Sequence, residues 1–333
     1  MVRKEGLEPS HLAVLEPKSS ASANSATFAK THSVIYWALG CQLGEVPFPP
    51  WPAATRLFAH LAEMAHHYEN FPVASLLLPG HLRRPVSVIY AFARQADDFA
   101  DEGDRDDAAR LALLDGFRQE LYRIGDGLEP QTPLFGDLAE IIHRHGLPLS
   151  AFHDLLDAFS QDVTQKRYTH FGELMAYCRR SANPVGRLLL HLFGAVTPRN
   201  ESYSDAICSS LQLINFLQDI AVDYRDKGRI YLPRDEMAKY GVTEAQIGRG
   251  ETTGLWRPFM QFQIERARKL LQAGAPLGKT LKGRIGLEMR MIILGGETIL
   301  RKLHRSGGDV FRHRPVLEPA DWLYMLYRAL RTG

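Results

Sequence analysis

The chain has 333 residues, of which 45% are hydrophobic, and its formal net charge is +2. That length suits one large domain or two modest ones, and the nearly neutral charge gives no indication of a nucleic-acid partner. Three scattered cysteines are too few for a disulfide framework or a zinc site, and no apolar run reaches the ~18 residues that span a bilayer. We therefore expect a protein of the reducing cytoplasm.

The first part of the chain differs in composition from the rest. Residues 1 to about 33 are rich in Ser, Ala and Thr and show no sustained hydrophobic period, which predicts disorder. A start codon placed too far upstream is an alternative explanation. Residues 47–52, PFPPWP, predict a stiff linker. We divide the chain into a disordered or non-native extension with this linker, residues 1–55, and one helical domain, residues 56–333.

From Ala53 onward the hydrophobic period is that of α-helices, and no segment alternates with period two for long enough to form a sheet. Gly, Pro and short polar runs separate the predicted helices. These are residues 53–69, 72–79, 82–102, 106–124, 132–145, 150–164, 171–193, 201–224, 234–239, 243–248, 253–273, 281–306 and 319–331. The sequence predicts an all-α fold, a single helical bundle with a central cavity.

The first acidic stretch, residues 97–102, ends the predicted helix 82–102. At 100° per residue, Tyr90, Arg94, Asp97 and Asp101 share one narrow stripe of this helix. Apolar residues occupy the adjoining stripe, which would face a core. The pattern therefore presents an aromatic ring, a guanidinium and two carboxylates to the same side.

A second acidic stretch, residues 215–223, reads NFLQDIAVD. Gln212, Asn215, Asp219 and Asp223 project to one side of the predicted helix 201–224, and apolar residues lie on the other. The two acids are again four residues apart. Lys227 and Arg229 follow this stretch; they could contact a diphosphate or simply end the helix favourably.

Clustered carboxylates on a half-apolar helix repel one another and cost stability unless a cation lies among them. Mg²⁺ suits that position, because it is held by one or two carboxylates together with substrate phosphates. Two such helices facing each other would form a clamp for metal and diphosphate. The alternative for residues 97–107 alone is a solvated helix end, which is the usual fate of a charge run. The recurrence of the acid pair on a second helix favours the metal site.

Two further segments carry unusual residues. Residues 159–168, FSQDVTQKRY, bring Asp162, Lys166 and Arg167 close together, which predicts an ion pair on the helix surface worth a few tenths of a kcal/mol. Residues 177–186, YCRRSANPVG, place a proline and a glycine inside an apolar helical region. Such a pair marks a kink, and kinks also occur where a helix opens to line a cavity.

Five motifs in order resemble the squalene/phytoene synthase family: ENFPVASLLLP, YAFARQADDFADE, QDVTQKRY, YCRRSANPVG and QLINFLQDIAVDYRDKGRIYLP. The resemblance covers roughly residues 60 to 330. It implies the isoprenoid synthase fold, with two acid motifs facing each other across a central cavity. It also implies Mg²⁺ bound through Asp97 and Asp101 on one side and Asp219 and Asp223 on the other, and Asp98 belongs to the first of these motifs.

The resemblance also implies roles for other residues. Tyr90 and Arg94 match positions that contact the diphosphate, and Gln212 and Asn215 complete the second wall. We assign four more residues of these motifs to substrate binding: Phe71, Tyr168, Arg229 and Tyr231. In such a site the metal ions and Arg94 stabilise the charge that develops on the leaving diphosphate. Apolar and aromatic walls keep water from the carbocation, and ring faces attract it.

Two departures from the family pattern suggest a particular member. Asn70 stands where the family has a serine, and Asn183 lies in a motif that the family builds from small residues. Both departures resemble the bacterial hydroxysqualene synthases of squalene and hopanoid biosynthesis. We predict that presqualene diphosphate is ionised and that water captures the cation, with both asparagines assisting. The alternative for each asparagine is a helix cap or kink.

Two other functions are considered. The first is a head-to-head condensing enzyme that makes presqualene diphosphate, squalene or phytoene. The second is a catalytically silent scaffold, which would be expected to lose acid ligands that this chain retains. The sequence makes no prediction of oligomeric state. Residues 301–305 and 312–314 form a basic cluster that predicts peripheral contact with the inner face of a membrane, with a solvated helix end as the alternative.

Overall fold

A computed structural model of the protein describes residues 77–331. Within this range the chain is all-α, as predicted, and its single strand-like feature is a parallel bridge between Arg167 and Ile230. The helices are α1 (Gly80–Asp101), α2 (Asp107–Gly125), α3 (Pro133–His145), α4 (Leu149–Thr164), α5 (Phe171–Ser181), α6 (Asn183–Leu192), α7 (Pro198–Gln218), α8 (Ile220–Lys227), α9 (Arg234–Lys239), α10 (Glu244–Gly248), α11 (Trp256–Gly274), α12 (Leu277–Thr280), α13 (Gly283–Arg305) and α14 (Pro319–Arg331). The extension 1–55, the predicted helix 53–69, residues 72–76 of the predicted helix 72–79, and the candidate residues Asn70 and Phe71 lie outside the described residues. Residues 77–79 form a turn that leads into α1 and not the predicted helix.

Short polar side chains determine where several helices begin. The Asp106 carboxylate accepts a hydrogen bond from the backbone N–H of Ala109 (2.7 Å) at the start of α2. The Thr197 hydroxyl accepts one from the N–H of Asn200 (3.1 Å) and is followed by Pro198, which suits the first turn of α7. This cap explains why α7 begins earlier than the predicted residue 201.

Two predicted helices are divided. The predicted helix 171–193 breaks at Ala182, because Pro184 has no N–H to donate to the carbonyl of Arg180. The predicted helix 201–224 changes direction at Asp219, yet the Asp219 N–H still donates to the Asn215 carbonyl (2.9 Å) and the Asp223 N–H to the Asp219 carbonyl (2.8 Å). The short helix α12 was not predicted, because four residues give no detectable period.

The apolar side chains form two cores. The N-terminal core is built from α1 to α4 with one face of α6, and aromatic rings around Phe92 fill its centre, with Phe117, Phe135 and Phe152 at 5.3–5.9 Å between centroids. The C-terminal core is built around α7 and α11 with α13 and α14. Phe193 and Ile285 pack against both cores. Helix α1 belongs to the first core and helices α7 and α8 to the second, so the two acid motifs lie on different cores.

Helix α7 is the central helix, because every residue from 207 to 218 is buried. Gly274, the last residue of α11, lies close to the backbone of this helix. A Cβ atom on Gly274 would lie 2.5 Å from the Tyr203 carbonyl oxygen and 3.0 Å from the Ile207 nitrogen. The small residue therefore allows α11 to contact the backbone of the helix that carries the second acid motif.

None of the helices between residues 77 and 331 combines the length and apolar character needed to cross a bilayer.

Candidate active site

The first acid motif lies at the end of α1. Asp101 is ion-paired with two cations at the end of α8. One is the ammonium of Lys227, the last residue of the helix, and the other is the Arg229 guanidinium, whose Nη2 lies 2.7 Å from Oδ1. The neighbouring Asp97 is buried, and its Oδ1 has no hydrogen-bond partner within the described residues. Burial raises the pKa of Asp97 well above its ordinary value, and the charge of Asp101 adds to the rise.

The second acid motif crosses the junction of α7 and α8. Asp219 is fully buried and is ion-paired with Arg314, whose Nη2 lies 3.1 Å from Oδ2. Asp223 is also buried, and neither of its carboxylate oxygens has a hydrogen-bond partner within the described residues. The same holds for both polar atoms of the Gln212 amide and for Nδ2 of Asn215. This wall therefore contains several buried polar atoms that have no hydrogen-bond partner among residues 77–331.

The two motifs influence each other electrostatically. Burial raises the pKa of Asp223 well above its ordinary value, and the negative charges of Asp219 and, across the site, of Asp101 add to the rise. Lys227 and Arg229 oppose it. The structure thus brings the acids of both motifs together, with Lys227 and Arg229 between them.

A left-handed turn at Gly228 positions these cations. Gly228 has φ 62°, which a glycine adopts at low cost, and it ends α8. The following N–H, of Arg229, donates to the Asp223 carbonyl (2.9 Å), and the N–H of Ile230 donates to the Lys166 carbonyl (3.1 Å). The segment that leaves the second motif is therefore fixed against residues 166–168, close to the end of α1.

Asp162 lies at the centre of a buried polar group and not on the helix surface, where the sequence predicted it. Its carboxylate accepts hydrogen bonds from the hydroxyls of Tyr177 (2.7 Å) and Tyr231 (3.2 Å), and its backbone carbonyl accepts one from Arg229 (2.8 Å). The predicted surface ion pair with Lys166 and Arg167 is wrong. Asp162 follows the buried Leu155 by seven residues and so lies on the same apolar stripe of α4.

Arg167 forms a bidentate pair with Glu244, at 2.9 and 2.7 Å. It therefore fastens the short helix α10 to the segment that follows α4.

Aromatic rings surround the Asp162 group. Tyr231 stacks on Phe216 with 3.9 Å between centroids and an interplanar angle of 4°, and on Tyr168 at 5.6 Å. All three rings are buried. The predicted substrate residues Tyr168 and Tyr231 thus lie together beside Arg229, and Phe216 extends the same stack from α7.

Asp162→Asn is expected to change how stability depends on pH. Burial raises the pKa of Asp162 to about 6, against 3.8 ordinarily, although Arg229 opposes the rise. The folded protein then binds this proton more tightly than the unfolded chain, so the free energy of unfolding falls by about 3 kcal/mol as the pH rises from about 4 to about 6. Asparagine removes this contribution but leaves one tyrosine hydroxyl without an acceptor, at a cost of about 1 kcal/mol.

Urea denaturation of both proteins between pH 4 and pH 8 tests this prediction. The variant should be the less stable protein at pH 4 and the more stable one at pH 7. If the free energies of unfolding of the two proteins differ by the same amount at every pH in this range, the raised pKa of Asp162 is contradicted.

The remaining residues of α1 occupy the edge of the site. The Arg94 guanidinium is ion-paired with Asp98 (2.9 Å) and Glu102 (3.1 Å), and Tyr90 is half-buried against the N-terminal core. Burial raises the pKa of Asp98 to about 6, and Arg94 opposes the rise. The structure therefore separates Asp98 from Asp97 and Asp101 and pairs it with the residue predicted to contact diphosphate.

Asn183 is buried at the first position of α6, and its Oδ1 accepts a hydrogen bond from the Ser209 hydroxyl (2.9 Å) of α7. This contact ties α6 to the central helix directly after the break at Ala182. It is neither the cap nor the kink stated as the alternative, and the role of this asparagine in water capture stays a prediction.

The sequence predicted that Arg314 belongs to a basic cluster for membrane contact, and the structure corrects this prediction. Arg314 is ion-paired with Asp219, and its neighbour Pro315 accepts a hydrogen bond from the Gln218 amide (2.7 Å). Lys302 of the same cluster is paired with Asp321 (2.7 Å), and Arg312 with Asp309 (3.0 Å). Most of this cluster is therefore neutralised within the protein.

Among residues 77–331, no three His, Cys, Asp or Glu side chains converge in metal-binding geometry. Asp101 is ion-paired with Lys227 and Arg229, and Asp219 with Arg314. By contrast, Oδ1 of Asp97 and both carboxylate oxygens of Asp223 have no hydrogen-bond partner among the described residues.

Comparison with known proteins identifies this arrangement. The crystal structure of squalene synthase HpnC from Alicyclobacillus acidocaldarius aligns with a TM-score of 0.68 and 36% identity, over 77% of this chain and 97% of that one. The chain therefore has the isoprenoid synthase fold. A family model, squalene/phytoene synthase, matches residues 64–321. The protein belongs to the squalene/phytoene synthase family and is an enzyme of the class that acts on prenyl diphosphates.

Relatives of this chain are named for two different activities, hydroxysqualene synthase and phytoene synthase. A hydroxysqualene synthase from Rhodopseudomonas palustris is 36% identical over 268 residues, which are 80% of this chain and 89% of that protein. A phytoene synthase from Mycobacterium bovis is 35% identical over 211 residues, which are 62% of this chain and 68% of that protein.

Proposed function

We propose that the protein is a hydroxysqualene synthase, which ionises presqualene diphosphate, rearranges the resulting cation and captures water to give hydroxysqualene and diphosphate. The observation that carries the proposal is the likeness to the Rhodopseudomonas palustris enzyme, which extends over a larger part of the chain than the likeness to the Mycobacterium bovis phytoene synthase. The product would enter squalene and hopanoid biosynthesis.

The residues of the site fit a divalent cation such as Mg²⁺. Asp97 and Asp223 bury carboxylate oxygens that have no hydrogen-bond partner within the described residues, and an uncompensated buried carboxylate is costly. Carboxylate and amide oxygens are the ligands that Mg²⁺ prefers. We assign the metal to Asp97, Asp101, Asp219 and Asp223, with Asn215 beside them. A bound Mg²⁺ would supply the charge that stabilises the leaving diphosphate.

The chain supplies further cations for the same purpose. Lys227, Arg229 and Arg94 lie among or beside the carboxylates, and each can donate hydrogen bonds to phosphate oxygens. Arg229 is buried, so it would interact with a diphosphate more strongly than an exposed arginine would. We assign Lys227 and Arg229 to diphosphate binding and Arg94 to the edge of that site.

The aromatic stack next to Arg229 suits the hydrocarbon part of the substrate. Aromatic rings attract a nearby carbocation, and the buried stack of Tyr168, Tyr231 and Phe216 excludes water. Tyr177 and Tyr231 donate to Asp162, which fixes the orientation of both rings. We assign this stack to the wall of the cavity in which the cation rearranges.

A head-to-head condensing enzyme is the second candidate. The phytoene synthase relative favours it, because its identity to this chain is nearly as high. The acid motifs do not distinguish the two candidates, since both reactions begin with ionisation of a prenyl diphosphate.

One incubation series separates these functions. Purified protein with Mg²⁺ is supplied with presqualene diphosphate or with farnesyl diphosphate, with and without NADPH, and the products are identified by mass spectrometry. We expect hydroxysqualene from presqualene diphosphate without NADPH, and no product when EDTA replaces Mg²⁺. Efficient conversion of farnesyl diphosphate to presqualene diphosphate or phytoene, with presqualene diphosphate left untouched, would establish the condensing enzyme instead.

A further inference from the structure

The last described helix, α14, exposes an unusual number of large apolar side chains. Eleven large hydrophobic residues between positions 77 and 331 are exposed, and five of them belong to this 13-residue helix. Their exposed fractions run from 41% to 62%, for Leu323, Tyr324, Leu326, Tyr327 and Leu330. Scattered exposed hydrophobic residues are normal in proteins, but a contiguous set is a mark of an interaction site.

The helix is attached to the protein by its opposite edge. Met325 and Ala329 are buried in or beside the C-terminal core, and the Ala329 carbonyl accepts a hydrogen bond from the Arg290 guanidinium of α13 (2.8 Å). At 100° per residue, the exposed Leu323, Tyr327 and Leu330 lie within about 60° of one another on the other side. The helix therefore presents an apolar stripe, which we call the α14 face, directly outward.

Arginines border the α14 face. The Arg328 guanidinium lies over the Tyr324 ring (5.8 Å) and donates to its hydroxyl (3.1 Å), and Arg331 contacts Tyr327 in the same way (5.6 and 2.9 Å). The Arg301 guanidinium of α13 also lies over the Tyr324 ring, at 5.8 Å. The acid nearest to this border, Asp321, is neutralised by Lys302. The apolar stripe is thus edged by a net positive charge.

We propose that the α14 face binds the surface of an anionic lipid bilayer. An amphipathic helix with leucines and tyrosines on one face and arginines at its edge is suited to lie in the plane of a membrane interface, where the arginines meet lipid phosphates and the leucines enter the acyl region. The enzymes of this family act on prenyl diphosphates, which are themselves amphiphiles that partition into membranes. Contact through this face holds the enzyme where such substrates are concentrated.

Co-sedimentation of the full chain with vesicles tests the proposal. Wild type should bind vesicles that contain phosphatidylglycerol, and high salt should weaken the binding. Leu323→Gln/Leu330→Gln should lower the partition coefficient about tenfold or more. Arg328→Gln/Arg331→Gln should lower it about tenfold on anionic vesicles and little on phosphatidylcholine alone.

Matched controls use exposed residues elsewhere. Leu128→Gln/Leu255→Gln and Arg225→Gln/Arg249→Gln remove the same chemical groups from distant surfaces and should bind as wild type does. Absence of wild-type binding, or equal losses in the controls, would overturn the proposal. A lipid-free dimer that dissociates in Leu323→Gln/Leu330→Gln would also overturn it, because the face would then join two copies. No substrate is present, so the outcome is independent of the product assay.

Discussion

Asp223→Asn is expected to lower turnover about 100- to 1,000-fold while the protein remains folded. The substitution keeps the size of the side chain and removes one negative charge from the second acid motif. Neither oxygen of Asp223 is engaged by another described residue, so no structural hydrogen bond is lost. The metal-free protein should even gain about 1 kcal/mol or more in its free energy of unfolding, because burial makes the ionised Asp223 carboxylate unfavourable and asparagine carries no charge.

Loss of activity together with unchanged or increased stability would distinguish a functional carboxylate from a structural one. The measurements are consumption of presqualene diphosphate and urea denaturation in EDTA. Asp226→Asn is the matched control, since Asp226 lies on the same helix, is exposed and pairs with Arg225 (2.7 Å). Full activity of Asp223→Asn would exclude the metal assignment. Asp219 is less suitable for this test because its replacement also deprives Arg314 of its counter-ion.

Gly274→Ala is expected to destabilise the protein by about 3 kcal/mol, a large cost for a single methyl group. The new Cβ would lie 2.5 Å from the Tyr203 carbonyl oxygen, so α11 and α7 must move apart. Helix α7 carries Gln212, Asn215 and the Asp219 junction, so its displacement should also lower kcat.

Thermal and urea denaturation measure the first effect, and the product assay measures the second. Gly136→Ala is the control, because Gly136 lies in α3 with nothing within 4 Å of its added Cβ. There alanine should stabilise the protein by about 0.5–1 kcal/mol through the lower entropy of the unfolded chain. Equal stability of the Gly274→Ala protein and wild type would show that the two helices can separate at little cost.

Helical period and acid spacing predicted much of the architecture. The stripe that joins Asp97 to Asp101 depends only on the geometry of one helix. The spacing of Asp219 and Asp223 was predicted on the same basis, and the hydrogen bond from the Asp223 N–H to the Asp219 carbonyl keeps it across the junction of α7 and α8. Arg229 follows the second motif directly, so its nearness to that motif could be predicted, whereas its pairing with Asp101, 128 residues earlier, could not. The predictable features need no knowledge of how distant segments pack.

The counter-ions of the acids were harder to predict from the sequence. Arg314 lies 95 residues after Asp219, in a segment whose local sequence resembles any basic surface loop. Asp162 was judged by its charged neighbours, although its place on the apolar stripe of α4 was the better guide. The break at Ala182 was visible as a proline, but its consequence, that Asn183 reaches Ser209, depends on the packing of α6 on α7.

The pairing of Asp219 with Arg314 has a consequence for how the chain is made. During synthesis the central helix emerges long before the residue that neutralises its buried carboxylate. Until residue 314 has been translated, burial of Asp219 leaves an uncompensated charge inside the C-terminal core. The second acid motif can therefore reach its final packing only when nearly the whole chain is available, and nascent chains that end before Arg314 would be the natural targets of chaperones and proteases.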